Sequence, residues 1–526
     1  RFLRNRPDLG SPGSNAATNG MVITYTINAY SDQNNVDFSN MLVDMARQGG
    51  GESYQAGSEE EFLEALNTIV TKILAVNSVF AAVALPVSVN QRGSYLNQVY
   101  LGVFRPDAER SPNWPGNLKQ YQIAVQNTLQ GNVLYLADAR TPPQPAAAGN
   151  FISPTALSFW TQPSTFWSST YYANSQGAGG VSDSPDGDLV EKGGVAQKLR
   201  TTYPTSQAAR NVYTCTSGCT GGSPGSLLSA TPFSTSNTAL TSDTSLSSDA
   251  TERTSIINWV RGANNKLDDN PSGVATDIRG FIHGDVIHSR PVVINYNRNS
   301  DDVFVFYGAN DGMFRAVKGG QASGGGAEQW AFVPPEGFSK LKRLRDETPI
   351  ISTTDTKPYF IDGSPTVYTS TVTNDGDIDS SEGDKAYVYL TARRGGRFIY
   401  ALDVSNPATP RLLWKRSNAD TDFSELGQTW SELKVGRIRG QTNPVVIFGL
   451  GYDSAANDPN VVPQVATMGR GVMILDAFTG AKIWSTEDAS GLNRNGVNQY
   501  AIPAGVAQVD TDFDGYVDRI IAADTG

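Results

Sequence analysis

Apolar and polar residues alternate through residues 21–30 (MVITYTINAY), the two-residue period of a half-buried strand. From Phe38 to Arg47 the apolar spacing changes to that of a helix, and Gly49-Gly50-Gly51 ends it. Ser53-Tyr54-Gln55-Ala56 is a short second strand. Ser58 and Glu61 then form a capping box, opening a helix with Phe62, Leu63, Leu66, Ile69, Val70 and Ile73 on its apolar positions. Residues 1–78 therefore read as α/β. Residues 79–200 are strand-like segments punctuated by Pro and Gly; residues 96–104 alternate, and residues 113–118 form a turn with Trp114 as an aromatic anchor. Residues 201–269 are a Ser/Thr/Gly tract followed by a helix, with a surface loop or disordered insertion expected over 201–255.

From residue 270 the pattern repeats. Residues 303–317 (VFVFYGANDGMFRAV) read strand, Asn-Asp-Gly turn, strand. A strand ending in Leu402-Asp403 leads through a proline turn to Trp414, and a strand ending in Leu475-Asp476 leads through Thr479-Gly480 to Trp484. Strand, Leu-Asp, turn and Trp recurring with wide insertions predict propeller blades, about four to six of them. Each Trp is expected to pack between neighbouring blades. The fold class is mainly β: an N-terminal α/β segment, a β-rich connecting domain and a C-terminal β-propeller.

Composition agrees, with only 18% charged residues against 52 Gly, 21 Tyr and 21 Phe. The net charge of −11 argues against nucleic acid and anionic membranes as main partners. No apolar run is long enough to span a membrane. The chain starts at Arg1 and stops just after a strand-like run, as expected of an interior piece of a larger protein. Cys215 and Cys219, alone and close together, predict a local disulfide and an oxidising compartment. A zinc site using them with His283 and His288 is disfavoured by the long intervening gap. His288 itself reads as a buried histidine with a backbone partner.

The strongest chemical signal is Asp510-Thr511-Asp512-Phe513-Asp514-Gly515-Tyr516-Val517-Asp518. Calcium takes about six to eight oxygen ligands, and alternate positions of a tight loop supply them, with glycine where the chain turns sharply. Asp510, Asp512, Asp514 and Asp518 coordinate directly or through water in this reading, and Tyr516 through its carbonyl. Ile521 stands where the helical calcium loop has its bidentate Glu, so the predicted site is weaker or water-completed. Asp375, Asp377, Asp379, Glu382 and Asp384 form a second acidic stretch whose glycine is misplaced for the same loop. Gly221-Gly222-Ser223-Pro224-Gly225 matches a nucleophile elbow formally, but Pro224 has no N–H for an oxyanion. Arg393-Arg394 beside Gly395-Gly396 is a small basic spot able to face an acidic partner.

Two resemblances follow. Residues 42–56 (LVDMARQGGGESYQA) with the next helix resemble the closing third of a von Willebrand factor A domain, without that domain's metal-binding DxSxS loop. The order of Leu96-Asn97-Gln98-Val99-Tyr100, Trp114-Pro115-Gly116-Asn117-Leu118, Asn258-Trp259-Val260-Arg261-Gly262, residues 284–291 (GDVIHSRP), Gly308-Ala309-Asn310-Asp311-Gly312, Ala401-Leu402-Asp403 and the acidic loop resembles the PilY/PilC type IV pilus-tip proteins. That resemblance implies a secreted, non-enzymatic pilus-tip adhesin and assembly factor of a Gram-negative bacterium. It implies roles in twitching motility and surface attachment, minor pilins as partners and Ca2+ as cofactor. The alternative is a quinoprotein-like propeller dehydrogenase, but such enzymes use adjacent cysteines, which this chain lacks.

Overall fold

The computed structural model describes residues 24–29, 36–77, 80–84, 97–128, 131–148, 151–168, 182–216, 225–266, 272–299, 301–458, 465–486 and 500–526. Two compact units emerge: residues 1–78 with 106–112 and 349–357, and the remainder. In the first, β1 (Thr24–Ala29) pairs in parallel with β2 (Gly50–Ala56) across α1 (Val36–Gln48), and α2 (Glu59–Asn77) follows. This is the expected strand–helix–strand–helix order. The capping box closes as predicted at one end, with Glu61 N–H on Ser58 Oγ (3.2 Å), while the Glu61 carboxylate reaches Gly57 N–H (2.6 Å). Of the α2 positions expected to be covered, Ile69 is buried beside Ala65, whereas Phe62, Leu63, Leu66 and Val70 are exposed. The two described strands are too narrow to cover a wider helical stripe.

The second unit begins with an antiparallel sheet of β3 (Phe80–Ala84), β4 (Gln98–Phe104), β5 (Gly116–Thr128) and β6 (Gly131–Ala137). Residues 116–118, read as turn, already belong to β5. β4 is buried on both faces. Val99, Leu101 and Val103 pack with Tyr121 and Val190, while Tyr100 packs with Trp160, Val305 and Tyr307 and donates to the Gly319 carbonyl (2.6 Å). A small ribbon, β7 (Ala147–Ala148) with β8 (Phe151–Ile152), and α3 (Gly194–Thr202) complete this part.

The Ser/Thr/Gly tract departs from expectation: in its described residues it is woven into the blades. β9 (Val212–Thr214) and β10 (Ser226–Leu227) become outer strands of two sheets, and α4 (Thr238–Thr241) and α5 (Ala250–Arg261) bury Leu240, Ile256, Ile257 and Val260 against blade 1. Polar composition concealed this because an edge strand joins through backbone hydrogen bonds, which every residue type offers. Cys215 is buried and disulfide-bonded; Cys219, like residues 221–224 of the formal elbow, lies outside the described residues.

Three antiparallel meanders follow. Blade 1 holds β11 (Val292–Asn295), β12 (Val303–Gly308), β13 (Phe314–Lys318) and β14 (Glu328–Val333), with β9 parallel to β14. After α6 (Phe338–Asp346), blade 2 holds β15 (Thr366–Ser370), β16 (Lys385–Thr391), β17 (Phe398–Asp403) and β18 (Arg411–Ser417), edged by β10. Blade 3 holds β19 (Lys434–Gly436), β20 (Val445–Gly449), β21 (Val472–Asp476) and β22 (Lys482–Ser485). The antiparallel pair β23 (Ala507–Val509) and β24 (Arg519–Ile521) opens a fourth. Trp414 joins blades as expected, its Nε1 donating to the Ala477 carbonyl (2.9 Å), and Trp330, which the repeat did not single out, does the same to that of Pro407 (2.8 Å).

Charged groups lock the first blade. Arg315, fully buried, donates to Asp311 through Nη1 (3.0 Å) and Nη2 (2.6 Å) and to Glu328 through Nε (3.2 Å). Glu328 also accepts from Arg210 Nε (3.0 Å) and Nη2 (2.9 Å). Burial alone would raise Glu328; the Arg210 and Arg315 guanidiniums overcome it and hold the carboxyl below its ordinary value. Glu328→Gln leaves buried Arg210 without its carboxylate and Arg315 with Asp311 alone, so we expect a loss of about 3–5 kcal/mol, read from the urea midpoint.

His283 lies beside this network, with Nδ1 on the Gly284 carbonyl (2.8 Å) and Nε2 on the Tyr307 hydroxyl (2.8 Å). A neutral ring with its proton on Nδ1 satisfies both. Burial first, then the Arg315 guanidinium, push its pKa down to about 3. The folded protein refuses a proton that the unfolded chain takes near its ordinary value of about 6.5. This contribution is therefore complete above pH 6.5 and is lost as pH falls toward 3, at up to about 1.4 kcal/mol per pH unit. In His283→Gln, denaturant unfolding between pH 6.5 and 4 should show a shallower decline than in the parent; equal slopes would refute the assignment.

Candidate cation loops and the ends of the blades

In each meander the loop joining the first two strands leaves one end, and the turn between the second and third strands leaves the other. The 510–518 loop joins β23 to β24, and residues 371–384 occupy the same place in blade 2 between β15 and β16. The two acidic motifs are thus equivalent loops.

In the 510–518 loop, carboxylate oxygens of Asp510, Asp512 and Asp514 lie within 4.8 Å of one another. The backbone draws them together. Asp510 accepts the N–H groups of Gly515 (2.8 Å) and Asp514 (3.3 Å), and Asp514 accepts that of Tyr516 (2.9 Å). Gly515 takes φ 88°, which glycine adopts without steric cost. Val517 N–H bonds the Arg437 carbonyl (2.7 Å), anchoring the loop on blade 3.

Asp518 stands apart from the cluster. Its carboxylate accepts the Thr511 hydroxyl (2.6 Å) and N–H (2.8 Å), and those two bonds lower its pKa. It therefore closes the loop's neck. Arg439, missed by the sequence reading, bonds Asp514, lies 3.3 Å from Asp512 and stacks 5.5 Å from the Tyr516 ring centre. Its distance along the chain hid it. The oxygen-only donor set on a tight turn fits a hard divalent cation.

In the blade 2 loop, Asp375, Asp377 and Glu382 converge within 4.8 Å. Desolvation, then the charges of Asp375 and Glu382, raise Asp377. Asp379 and Asp384 serve the loop itself: Asp379 caps Ser381 N–H (2.8 Å), and Asp384 accepts the N–H groups of Val372 (2.6 Å) and Asp379 (3.1 Å).

At the opposite end, Gly308 N–H donates to Ser289 Oγ (2.8 Å) and Gly449 N–H to Ser431 Oγ (2.9 Å), a repeated clasp within a blade. His288 departs from its sequence reading. Its side chain is 42% exposed, and Nδ1 lies 2.6 Å from the buried Asp362 carboxylate. Burial and its ordinary bonding partner belong instead to His283.

Comparison with known proteins agrees with this architecture. Residues 292–526 match the model of the PilY1 β-propeller domain, beginning at the first strand of blade 1. A type IV pilus biogenesis factor PilY1 homolog of Xylella fastidiosa is 26% identical over 291 residues, 51% of this chain and 20% of that protein. Type IV pilus biogenesis factor PilY1 of Pseudomonas aeruginosa strain UCBPP-PA14 is 30% identical over 199 residues, 34% of this chain and 16% of that protein. The chain thus spans a fifth or less of the length of these relatives. The crystal structure of the Pseudomonas aeruginosa PilY1 C-terminal domain gives a TM-score of 0.29 at 23% identity, over 42% of this chain and 36% of that one. With three four-stranded meanders, a fourth begun and the propeller model running from residue 292 to 526, this part of the chain is similar to the PilY1 β-propeller domain.

Proposed function

We propose that this chain is the scaffold region of a calcium-binding type IV pilus-tip adhesin and assembly factor. It acts outside the cell in pilus biogenesis, twitching and surface attachment, with minor pilins as partners. The match of residues 292–526 to the PilY1 β-propeller domain and the likeness to PilY1 pilus biogenesis factors support the pilus role. The observation that carries the calcium reading is the convergence of Asp510, Asp512 and Asp514 on one backbone-organised turn. Asp510, Asp512 and Asp514 would hold the ion, the Tyr516 carbonyl and water would complete its shell, and Asp518 would hold Thr511 or join through water. A bound divalent cation removes the repulsion among three carboxylates and fixes the hairpin that opens blade 4. We read the α/β segment at residues 24–77 as the end of a von Willebrand factor A domain, on its strand and helix order.

No helix among the described residues is long and apolar enough to cross a membrane. Cys215, disulfide-bonded, suits an oxidising compartment.

Calorimetric titration with CaCl2 should show saturable binding at about millimolar strength or tighter, the range of extracellular modules. Asp512→Ala and Asp514→Ala should abolish it, while Arg439→Ala, which removes a competing cation, should strengthen it. At ten times the dissociation constant, calcium should stabilise the protein by about 1.4 kcal/mol. Absence of a binding heat at 10 mM Ca2+ would remove the calcium reading. In the source bacterium, the Asp514→Ala allele of the full gene should reduce surface pili and twitching; normal piliation and motility would separate the loop from pilus function.

A further inference from the structure

The blade ends opposite the acidic loops carry a side-chain group that neither the fold nor the calcium reading uses. In blade 1, the turn between the second and third strands holds Asn310 and Asp311, both buried and committed to structure. Asn310 Oδ1 accepts Phe360 N–H (3.0 Å), and Asp311 pairs with Arg315. The same turn in blade 2 holds Arg393 and Arg394, with side chains 26% and 34% exposed. Blade geometry does not require arginine there, since blade 1 makes the turn with Asn and Asp.

The backbone around this pair is firmly tied. Arg393 adopts φ 48°, an uncommon conformation for a non-glycine residue, and its N–H donates to the Thr429 carbonyl (3.2 Å). Ala392 N–H bonds Thr429 Oγ1 (2.9 Å), and Gln428 and Tyr452 exchange two backbone hydrogen bonds (2.9 and 2.8 Å). Three loops from two blades are thereby joined. They stack Trp430 on Tyr452 with ring centres 4.3 Å apart and planes 24° from parallel. The Arg393 guanidinium lies 4.3 Å from the Trp430 ring centre; that of Arg394 lies 5.1 Å from Trp430 and 5.5 Å from Tyr452.

The two arginines differ in what satisfies them. Arg394 makes two parallel bonds to Asp458 (both 2.8 Å), whose carboxylate also accepts the Tyr452 hydroxyl (2.8 Å). Arg393 Nε is buried without a hydrogen-bond partner. The carboxylate within ion-pair reach, Asp362, is 3.9 Å away and is already engaged by His288 Nδ1 (2.6 Å) and Asn310 Nδ2 (3.2 Å). Burial lowers the Arg393 pKa, and the like charge of Arg394 adds to it against the pull of Asp362. With its Nε turned inward and its side chain 26% exposed, the Arg393 guanidinium is oriented by an aromatic face so that its outward edge can take a planar anion.

We propose that Arg393, stacked on Trp430, anchors a binding site for a carboxylate-bearing, Asp/Glu-rich segment of a protein partner. Arg394 and Tyr452 form its second wall. The incoming carboxylate accepts from Arg393, and the stem of its side chain lies along the Trp430–Tyr452 stack. A nucleic-acid strand fits less well, because it needs a line of cations and Arg393 with Arg394 is a single pair. The inference rests on the guanidinium–aromatic geometry and not on the calcium or pilus reading.

The test is fluorescence anisotropy of a labelled hexaglutamate peptide with the purified chain at low ionic strength. Saturable, salt-weakened binding is expected, lowered about tenfold or more by Arg393→Gln, the loss of one charged hydrogen-bonded contact. Trp430→Leu should weaken it too, and Arg393→Lys should as well, because lysine keeps the charge without the fork. Lys318→Gln, at the exposed end of β13, should leave it unchanged. Near-ultraviolet circular dichroism verifies folding of each variant, and Arg393→Lys decides the matter if the Gln variant misfolds. Unchanged affinity in Arg393→Gln and Arg393→Lys would overturn the proposal. So would competition by oligothymidylate at lower concentration than by unlabelled hexaglutamate, which would make this a nucleic-acid surface.

Discussion

The chain of buried ions from Arg210 through Glu328 and Arg315 to Asp311 is the constraint on which the second unit depends. Each guanidinium there has lost its water, and only paired carboxylates and carbonyls offset that cost. The network draws together segments far apart in sequence. Arg210 belongs to the Ser/Thr/Gly tract, Glu328 and Arg315 are neighbours in blade 1, and Asp311 reaches back to the Gly284 N–H (2.9 Å). Arg261, at the end of α5, closes the group by donating to the carbonyls of Phe233, Gln207, Ala208 and Arg210. The tract cannot leave without stranding charge. For that reason a stretch of disorder-like composition lends a strand to each of two blades.

Onto this first blade the others are added by a repeated device. A tryptophan on the fourth strand donates its indole N–H to the next blade's loop, and a serine before the first strand clasps the glycine ending the second. The Gly308 and Gly449 positions admit no side chain: an added Cβ would lie 2.0 Å from the Ile361 carbonyl oxygen and 2.4 Å from that of Ile502. Rigid blades held this way leave their end loops free to diverge. One end gathers carboxylates in blade 2 and again at blade 4; the other carries the arginines on Trp430 and Tyr452. Opposite chemistries at opposite ends follow from hydrogen-bonded strands that change direction at every turn.

Much of this was legible beforehand where the signal was local. The Asp510–Asp518 spacing could be read because its groups are contiguous, and the blade pattern because Leu-Asp and Trp recur beside turns. Arg439 could not be read, since it arrives from blade 3. Asp518, read as a ligand directly or through water, stands outside the three-carboxylate group and is bonded to Thr511, a placement that spacing does not reveal. His288, read as buried, is exposed, and the buried histidine is His283. Nothing adjacent in sequence distinguishes His283, beneath Tyr307, from His288, at the surface beside Asp362.

By itself, the sequence determined the strand and helix periods, the turn glycines, the acidic loop and the order of segments that carries the resemblance. These depend on neighbours within about a dozen residues, where backbone geometry and side-chain period act directly. Only the tertiary structure decided which edge strands the polar tract supplies, which carboxylates converge and which cation competes for them. It alone set a strained arginine on an aromatic pair. Those outcomes depend on burial and on distances between residues remote in the chain, and both are properties of packing.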